Sequence, residues 1–408
     1  MKHITLIISL GLSLLSYSQW ERIGISEDIF LDEIERLSDG SLVVSGHKTD
    51  FTGTRSGIYR STDEGYTWNL INDFAFAGQH ISKMNWIDSQ TAYFGSLSEF
   101  NDGVLLSTEN QAVDLFWVSS LSSITGVKDL SFLSEQVGAV LSDDDLLYVT
   151  TDRGLTWKER FYPSIMQIEL IRLFNENIFY LIGTNSSQTE FRIYKTTNAG
   201  NSWTSVYEES GTDIEVIDFQ IKNSAYAAWN SNGNFNIINS IDGSNWTDIS
   251  PYENIANASS FYAYANQEVY VTSYDELKDS SAVHWRKNNG DLITEYITQD
   301  TTANKCVFTS NSHGIVLGDY GQIFIKDQLL GLSNSTKQIP FFYAENNLRW
   351  KAQYDLRGQL RIYQLNGQEI LRKEITGSSV DIASLPHGYF IAQMIWSNGQ
   401  TSQLKFTR

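Results

Sequence analysis

The segment IYRSTDEGYTW, Ile58 to Trp68, recurs along this chain, and that recurrence limits the fold more than any other feature. Ile58-Tyr59-Arg60 alternates as a short strand does. Ser61 to Gly65 make a turn in which Asp63 can accept from backbone N–H groups and Gly65 can take positive φ. Thr67-Trp68 opens a second strand and offers one large ring for burial. The unit reads as a β-hairpin whose tip is fastened by its own side chains.

Further copies are LYVTTDRGLTW (Leu147–Trp157), IYKTTNAGNSW (Ile193–Trp203) and a worn IINSIDGSNW (Ile237–Trp246). VLLSTENQ from Val104 is more degraded, with Trp117 further on than expected. VHWRKNNGD from Val283 keeps the turn alone, and IFIKDQ from Ile323 keeps the strand and an Asp. The turn acids or their equivalents are Asp63, Glu109, Asp152, Asn198, Asp242, Asn288 and Asp327, separated by 46, 43, 46, 44, 46 and 39 residues. A period this regular marks a repeat architecture rather than chance matches to a short turn.

The pattern resembles the Asp-box, or bacterial neuraminidase repeat, S/T-x-D-x-G-x-T/S-W. The matching positions are Ser61, Asp63, Gly65 and Trp68; Thr150, Asp152, Gly154 and Trp157; Thr196, Asn198, Gly200 and Trp203; and Asp242, Gly243 and Trp246. The resemblance implies an all-β fold, a β-propeller with each box between the third and fourth strands of a blade. It assigns those residues structural work at the blade periphery. Gly318-Asp319-Tyr320-Gly321 also resembles turns of seven-bladed photosystem assembly factors. Residues 19–331 divide by the period into seven blades, with six or eight as the bracket. Each unit adds a polar turn before the hairpin, as in Asp32–Gly46 and Ser82–Ser96, and ends its inner half in small residues, which are expected where blades converge on the axis.

Gln19-Trp20-Glu21-Arg22-Ile23-Gly24 looks like the last third of a unit, and the unit near Ile323–Asp327 lacks its own Trp and fourth strand. Trp20–Ile23 is therefore expected to pair with Gln322–Lys326 and close the ring, which removes an exposed sheet edge.

Ahead of it, residues 1–18 read as a signal peptide: Lys2 and His3, an apolar run from Ile4 to Leu15, then Ser16-Tyr17-Ser18 before a cut at Gln19. That run is too short to span a bilayer, and no other segment is apolar enough to be a transmembrane span. The net charge of −19 argues against nucleic acid and anionic membranes as partners. A single cysteine, Cys306, excludes an intrachain disulfide and reads as a buried structural thiol.

Residues 332–340 read as a linker. Beyond it the charge reverses: residues 337–408 hold nine Lys/Arg against five Asp/Glu, which marks a separate domain at 341–408. Leu360–Ile375 reads as strand, Asn-Gly turn, strand. Ile362, Tyr363, Gly367, Asp381, Leu385, Pro386, Gly388, Tyr389 and Lys405 follow an order that resembles the C-terminal sorting domain (type A) of the type IX secretion system of Bacteroidetes. The usual Pro-Asn-Pro opening is replaced by Pro340-Phe341-Phe342-Tyr343. The resemblance implies a small β-sandwich, the type IX machinery as a partner, and a product released from the cell or attached to the outer-membrane surface.

Few residues suggest chemistry. The six His never pair at metal-ligand spacing, and neither a nucleophile elbow nor a phosphate loop is present, so no catalytic, metal or cofactor residues are assigned. Asp143-Asp144-Asp145 reads as a solvated hairpin turn before it reads as a calcium site. Phe191-Arg192-Ile193-Tyr194 lacks the proline of the sialidase Phe-Arg-Ile-Pro opening, and Arg192 reads as a strand residue. Two function classes follow: a non-catalytic exported propeller that binds an extracellular protein or glycan, and a secreted glycoside hydrolase or lyase. Two carboxylates facing each other across a central cleft, roughly 5–10 Å apart, would favour the second.

Overall fold

The computed structural model describes residues 20–25, 29–50, 53–74, 79–98, 103–121, 124–163, 167–221, 224–249, 255–264, 268–275, 279–286, 292–299, 302–310, 313–327, 341–344, 347–350, 358–364, 368–375, 379–386, 388–396 and 401–407. The chain divides into two compact units, Met1–Leu329 and Leu330–Arg408. The expected signal segment, linker, Asn288 and Gly367 lie outside the described residues.

The first unit is a seven-bladed β-propeller of seven antiparallel four-stranded sheets. Blade 1 runs through Phe30–Arg36, Leu42–Asp50, Gly53–Ser61 and Asn69–Phe74. Blades 2 to 6 begin with the strands Gln79–Trp86, Val127–Phe132, Gln167–Leu173, Glu215–Ile221 and Ala258–Ala263. Blade 7 takes three strands from the end of the unit, Ala303–Ser310, His313–Gly318 and Gln322–Asp327, and its fourth, Trp20–Gly24, from the beginning. The closing register runs from Trp20 opposite Lys326 to Gly24 opposite Gln322, as the split repeat predicts. Trp20 is buried and meets Phe308 edge-on at 6.3 Å.

Seven buried apolar clusters, each shared by two neighbouring blades, carry the cohesion of the ring. Burial of apolar area at these junctions is the main force available to a unit without a disulfide.

The repeated turns explain how the blades are pinned together. In blade 3, Thr150 Oγ1 accepts from Gly154 N at 2.9 Å, and Asp152 Oδ1 accepts from Thr156 N at 2.9 Å. The same pairs recur at Ser61/Gly65 with Asp63/Thr67, and at Thr196/Gly200 with Asn198/Ser202. Arg153 and Gly154 both take positive φ, as do Glu64-Gly65 and Ala199-Gly200. This conformation leaves turn carbonyls free, and the preceding blade supplies a side-chain donor to one of them. His313 Nε2 donates to Glu64 O (2.8 Å), Asn72 Nδ2 to Ala112 O (2.9 Å), Ser120 Oγ to Gly154 O, Arg160 Nε to Ala199 O (2.9 Å) and Lys195 Nζ to Asp242 O (3.0 Å). Trp68, Trp157, Trp203 and Trp246 are half-buried, each packed against a cluster shared with the preceding blade. They sit just before the fourth strands, which start at Asn69, Lys158, Thr204 and Thr247, two residues later than expected.

Three expectations need correction. In blade 2 the turn acid is not Glu109: Asn110 holds that place, accepting from Thr108 Oγ1 at 3.0 Å and from Asp114 N at 3.0 Å. Ala112 stands where glycine was expected, at φ 65°, and Leu115 packs where the tryptophan would, so Trp117 is left 57% exposed on a two-residue strand. Asp327 ends a strand whose partner comes from residue 20 onward, so no turn follows it within the blade. The small residues that end each inner half are not in the lining of the axis. They lie on the second strands, as at Gly95 and Gly314, where a Cβ would run into Val127 of the next blade and Phe308 of the same blade.

Thr150→Val is the direct test of the turn chemistry. It keeps the shape but leaves the buried Gly154 N–H without its acceptor, a loss of ~1–3 kcal/mol. Equilibrium denaturation measures it; a change inside experimental error would mean that the turn is held by packing alone.

The second unit contains two antiparallel sheets. One is three-stranded (Phe341–Ala344, Asn347–Trp350, Ser379–Asp381), and the other four-stranded (Glu369–Ile375, Gly358–Gln364, Tyr389–Trp396, Thr401–Thr407). They share a core that includes Leu348, Ile362, Leu385 and Phe390, the build of a small β-sandwich. Pro386 is exposed, Gly388 takes φ 155°, Tyr389 opens a strand, and Lys405 lies opposite Ile391 on the last one.

Candidate functional site: a charged central channel

The first strand of every blade lines the axis, and each carries a bulge at the same place. The register slips at Leu31/Glu33, Ile81/Lys83, Val127/Asp129, Ile168/Leu170, Val216/Asp218, Ala258/Ser260 and Ala303/Lys305. A bulge twists the strand and re-aims the side chains that follow it. The residues just past the bulges then line a cavity of about 380 Å³: Glu33, Lys83, Asp129, Leu170, Asp218, Ser260 and Lys305. Two residues on in each strand, Glu35, Asn85, Ser131, Arg172, Gln220, Tyr262 and Val307 extend the lining.

Charges in this channel are matched to one another. Glu33 Oε1 lies 3.4 Å from Lys83 Nζ and 3.5 Å from Lys305 Nζ, bridging blades 1, 2 and 7. Arg172 pairs with Asp129 on one side and with Asp218 at 3.2 Å on the other, and its Nε donates to Phe219 O at 2.9 Å. Burial pushes the Asp218 carboxyl up, but Arg172 and Lys305 more than offset that, so it stays below the usual carboxylate range. The Lys305 ammonium is raised chiefly by Glu33. Burial would lower Arg172, but Asp129 and Asp218 hold it above its ordinary value.

Lining side chains also accept from the backbone of the next blade at four of the junctions. Glu35 accepts from Trp86 N (3.2 Å), Asn85 from Phe132 N (2.5 Å), Asp129 from Ile171 N (2.8 Å), Ser131 from Leu173 N (3.0 Å) and Gln220 from Ala263 N (3.0 Å). The lining is thus rigid and polar, with both signs of charge present. Among the described residues the carboxylates Glu33, Glu35, Asp129 and Asp218 are each occupied by a cation or a backbone donor.

Sequence reasoning did not single out this set. The signal was there: a polar residue at alternate places in an otherwise apolar first strand, as in Glu33-x-Glu35, Lys83-x-Asn85 and Asp218-x-Gln220. The residues the sequence did single out lie elsewhere. The box turns join third to fourth strands, at the end of each blade opposite the bulges. Arg192 sits on the third strand of blade 4 and pairs with Glu190 (2.7 Å) and Glu208 (3.0 Å). Asp143-Asp144-Asp145 lies in the hairpin turn between Gly138–Ser142 and Leu147–Thr150, where Asp145 meets Lys128 at 3.4 Å. Cys306 reaches the channel wall, and burial pushes its thiol up to about 12, which keeps it protonated and unreactive. Three ligand-type residues scattered in sequence do meet: Asp32, His47 and His80.

Neither a protein-family model nor a curated protein sequence matches the chain. Solved structures do resemble it. A streptogramin B lyase is 13% identical, over 75% of this chain and 97% of that one, with a TM-score of 0.57. The virginiamycin B lyase of Staphylococcus aureus is 11% identical, over 76% and 99%, with a TM-score of 0.55. YCF48 from Cyanidioschyzon merolae is 12% identical, over 76% and 98%, with a TM-score of 0.54. At these identities the likeness is one of fold.

Proposed function

We propose that this chain is an exported, non-catalytic propeller of the Asp-box kind. It binds an extracellular protein or glycan through its channel face, and its C-terminal unit directs type IX secretion to the cell surface. The observation that carries the binding reading is the state of the channel acids. A hydrolase of the alternative class needs one carboxyl held protonated as general acid. Here Glu33 is shared by two lysines, while Asp129 and Asp218 are clamped by Arg172, with Asp218 held on the ionised side. A self-neutralised lining of this kind suits a ligand that brings hydrogen bonds and both charges, such as a peptide or a polar sugar, better than a polyanion. The secretion reading rests on the sorting-domain motif, including Leu385, Pro386, Gly388 and Tyr389, on a separately folded unit.

The test is a screen of the full mature chain on glycan, polysaccharide and peptide arrays, run beside assays for sugar release and for lyase products. Binding without turnover, weakened at least ~10-fold by Lys83→Gln, is the expected outcome. Turnover on any of these substrates would replace this reading with the hydrolase or lyase one.

A further inference from the structure

We propose that Asp32, His47 and His80 form a transition-metal site, with Zn²⁺ as the fitting ion, that bridges blades 1 and 2 outside the channel. Asp32 is the extra residue of the blade 1 bulge, His47 lies on the second strand of the same blade, and His80 lies on the first strand of blade 2. Their ligand atoms all lie within 4.8 Å of one another. His47 Nδ1 is 2.9 Å from Asp32 Oδ2 and 3.0 Å from Oδ1. Two ligands each about 2.0–2.2 Å from zinc, near the tetrahedral angle, stand ~3.3–3.6 Å apart, so the pair needs to open by only a few tenths of an ångström to admit the ion.

The composition fits the same ion. Two imidazoles and one carboxylate are donors that borderline metals prefer, whereas calcium and magnesium seek all-oxygen shells. Both imidazoles can bind as neutral ligands, and the carboxylate offsets one of the two metal charges. The two imidazoles stand side by side, with ring centroids 4.3 Å apart and planes tilted by 32°. The His47 ring is also held in place: Phe30 stacks on it at 5.5 Å and 24°, and Tyr320 leans on Phe30 at 5.5 Å. Such outer support fixes ligand orientation, as in built metal sites. Three protein ligands leave a coordination position for water or for a donor atom from a bound partner. The site stands on this geometry and does not depend on the binding reading above.

The experiment is titration of the chelator-treated full chain with Co²⁺, followed by its visible d–d bands, and then with Zn²⁺ in competition. One equivalent of Co²⁺ should bind with bands of a nitrogen- and oxygen-ligated ion, and Zn²⁺ should displace it. His47→Gln and His80→Gln should each weaken binding at least ~10-fold, since even indirect supports of metal ligands cost that much. Zn²⁺ should raise the melting temperature of the parent protein and not of the variants. Asp32→Asn provides a third variant should either histidine variant fail to fold. Absence of saturable Co²⁺ bands in the parent would overturn the proposal, and so would equal affinity in the parent and in the folded variants.

Discussion

A chain lacking residues 20–24 is expected to lose at least ~4 kcal/mol of stability and to self-associate. The number starts from Trp20, because truncating a buried Trp to Ala alone costs ~3–5 kcal/mol, and Trp20 is 7% exposed against Phe308, Tyr270 and Val283. The five-residue pairing from Trp20–Lys326 to Gly24–Gln322 goes with it. What remains is an uncovered edge on the strand Gln322–Asp327, next to the buried Ile323, Phe324 and Ile325. An open edge of that kind is a template for pairing with another chain. Lys326 would suffer as well. It is 2% exposed, sits 2.9 Å from Glu295, and lies over the Trp285 ring at 4.1 Å. Denaturant midpoints, with light scattering for the oligomer, measure both effects. A truncated monomer as stable as the parent would show that the ring does not need its closing strand.

How much of this was readable in the sequence depended on whether one chain segment or several carried the information. The box turn is local: Thr150, Asp152 and Gly154 bond within five residues, so composition alone reveals it. Ring closure was readable because a strand with a Trp stood at the start and a strand without one stood at the end. The blade 2 turn went wrong by one residue because its two loudest letters are missing. Ala112 accepts a left-handed φ that glycine would take without strain, and Leu115 does the packing of a tryptophan. The channel lining was missed because each blade contributes only one or two polar residues, and nothing local says that seven first strands converge. Asp32, His47 and His80 were missed for the same reason, since they sit on three strands of two blades and show no ligand spacing along the chain.

The channel pairing gives the second large effect, and its pH dependence separates it from lost packing. Arg172→Ala leaves Asp129, whose side chain is 4% exposed, and Asp218 without their shared cation. Breaking a buried pair from one side costs ~3–5 kcal/mol; with Arg172 itself 24% exposed to the channel, about 3 kcal/mol at neutral pH is the expected loss. In the parent, Asp218 is held below its ordinary pKa, so its contribution is present above the unfolded carboxyl value, near 3.9, and is lost as pH falls through the lower folded value. Once Arg172 is gone, the largest of the groups that offset burial is lost, and the Asp218 pKa moves up from its parent value. The variant is then penalised above that raised value and relieved as the acid takes up its proton. The melting-temperature gap between parent and Arg172→Ala should therefore be widest near pH 7 and should shrink toward pH 4. Adding Asp129→Asn and Asp218→Asn should recover much of the loss at neutral pH, because the buried charges are then removed while an amide oxygen can still accept from Ile171 N. If the gap is the same at both pH values, Arg172 matters for the space it fills rather than for the charges it holds.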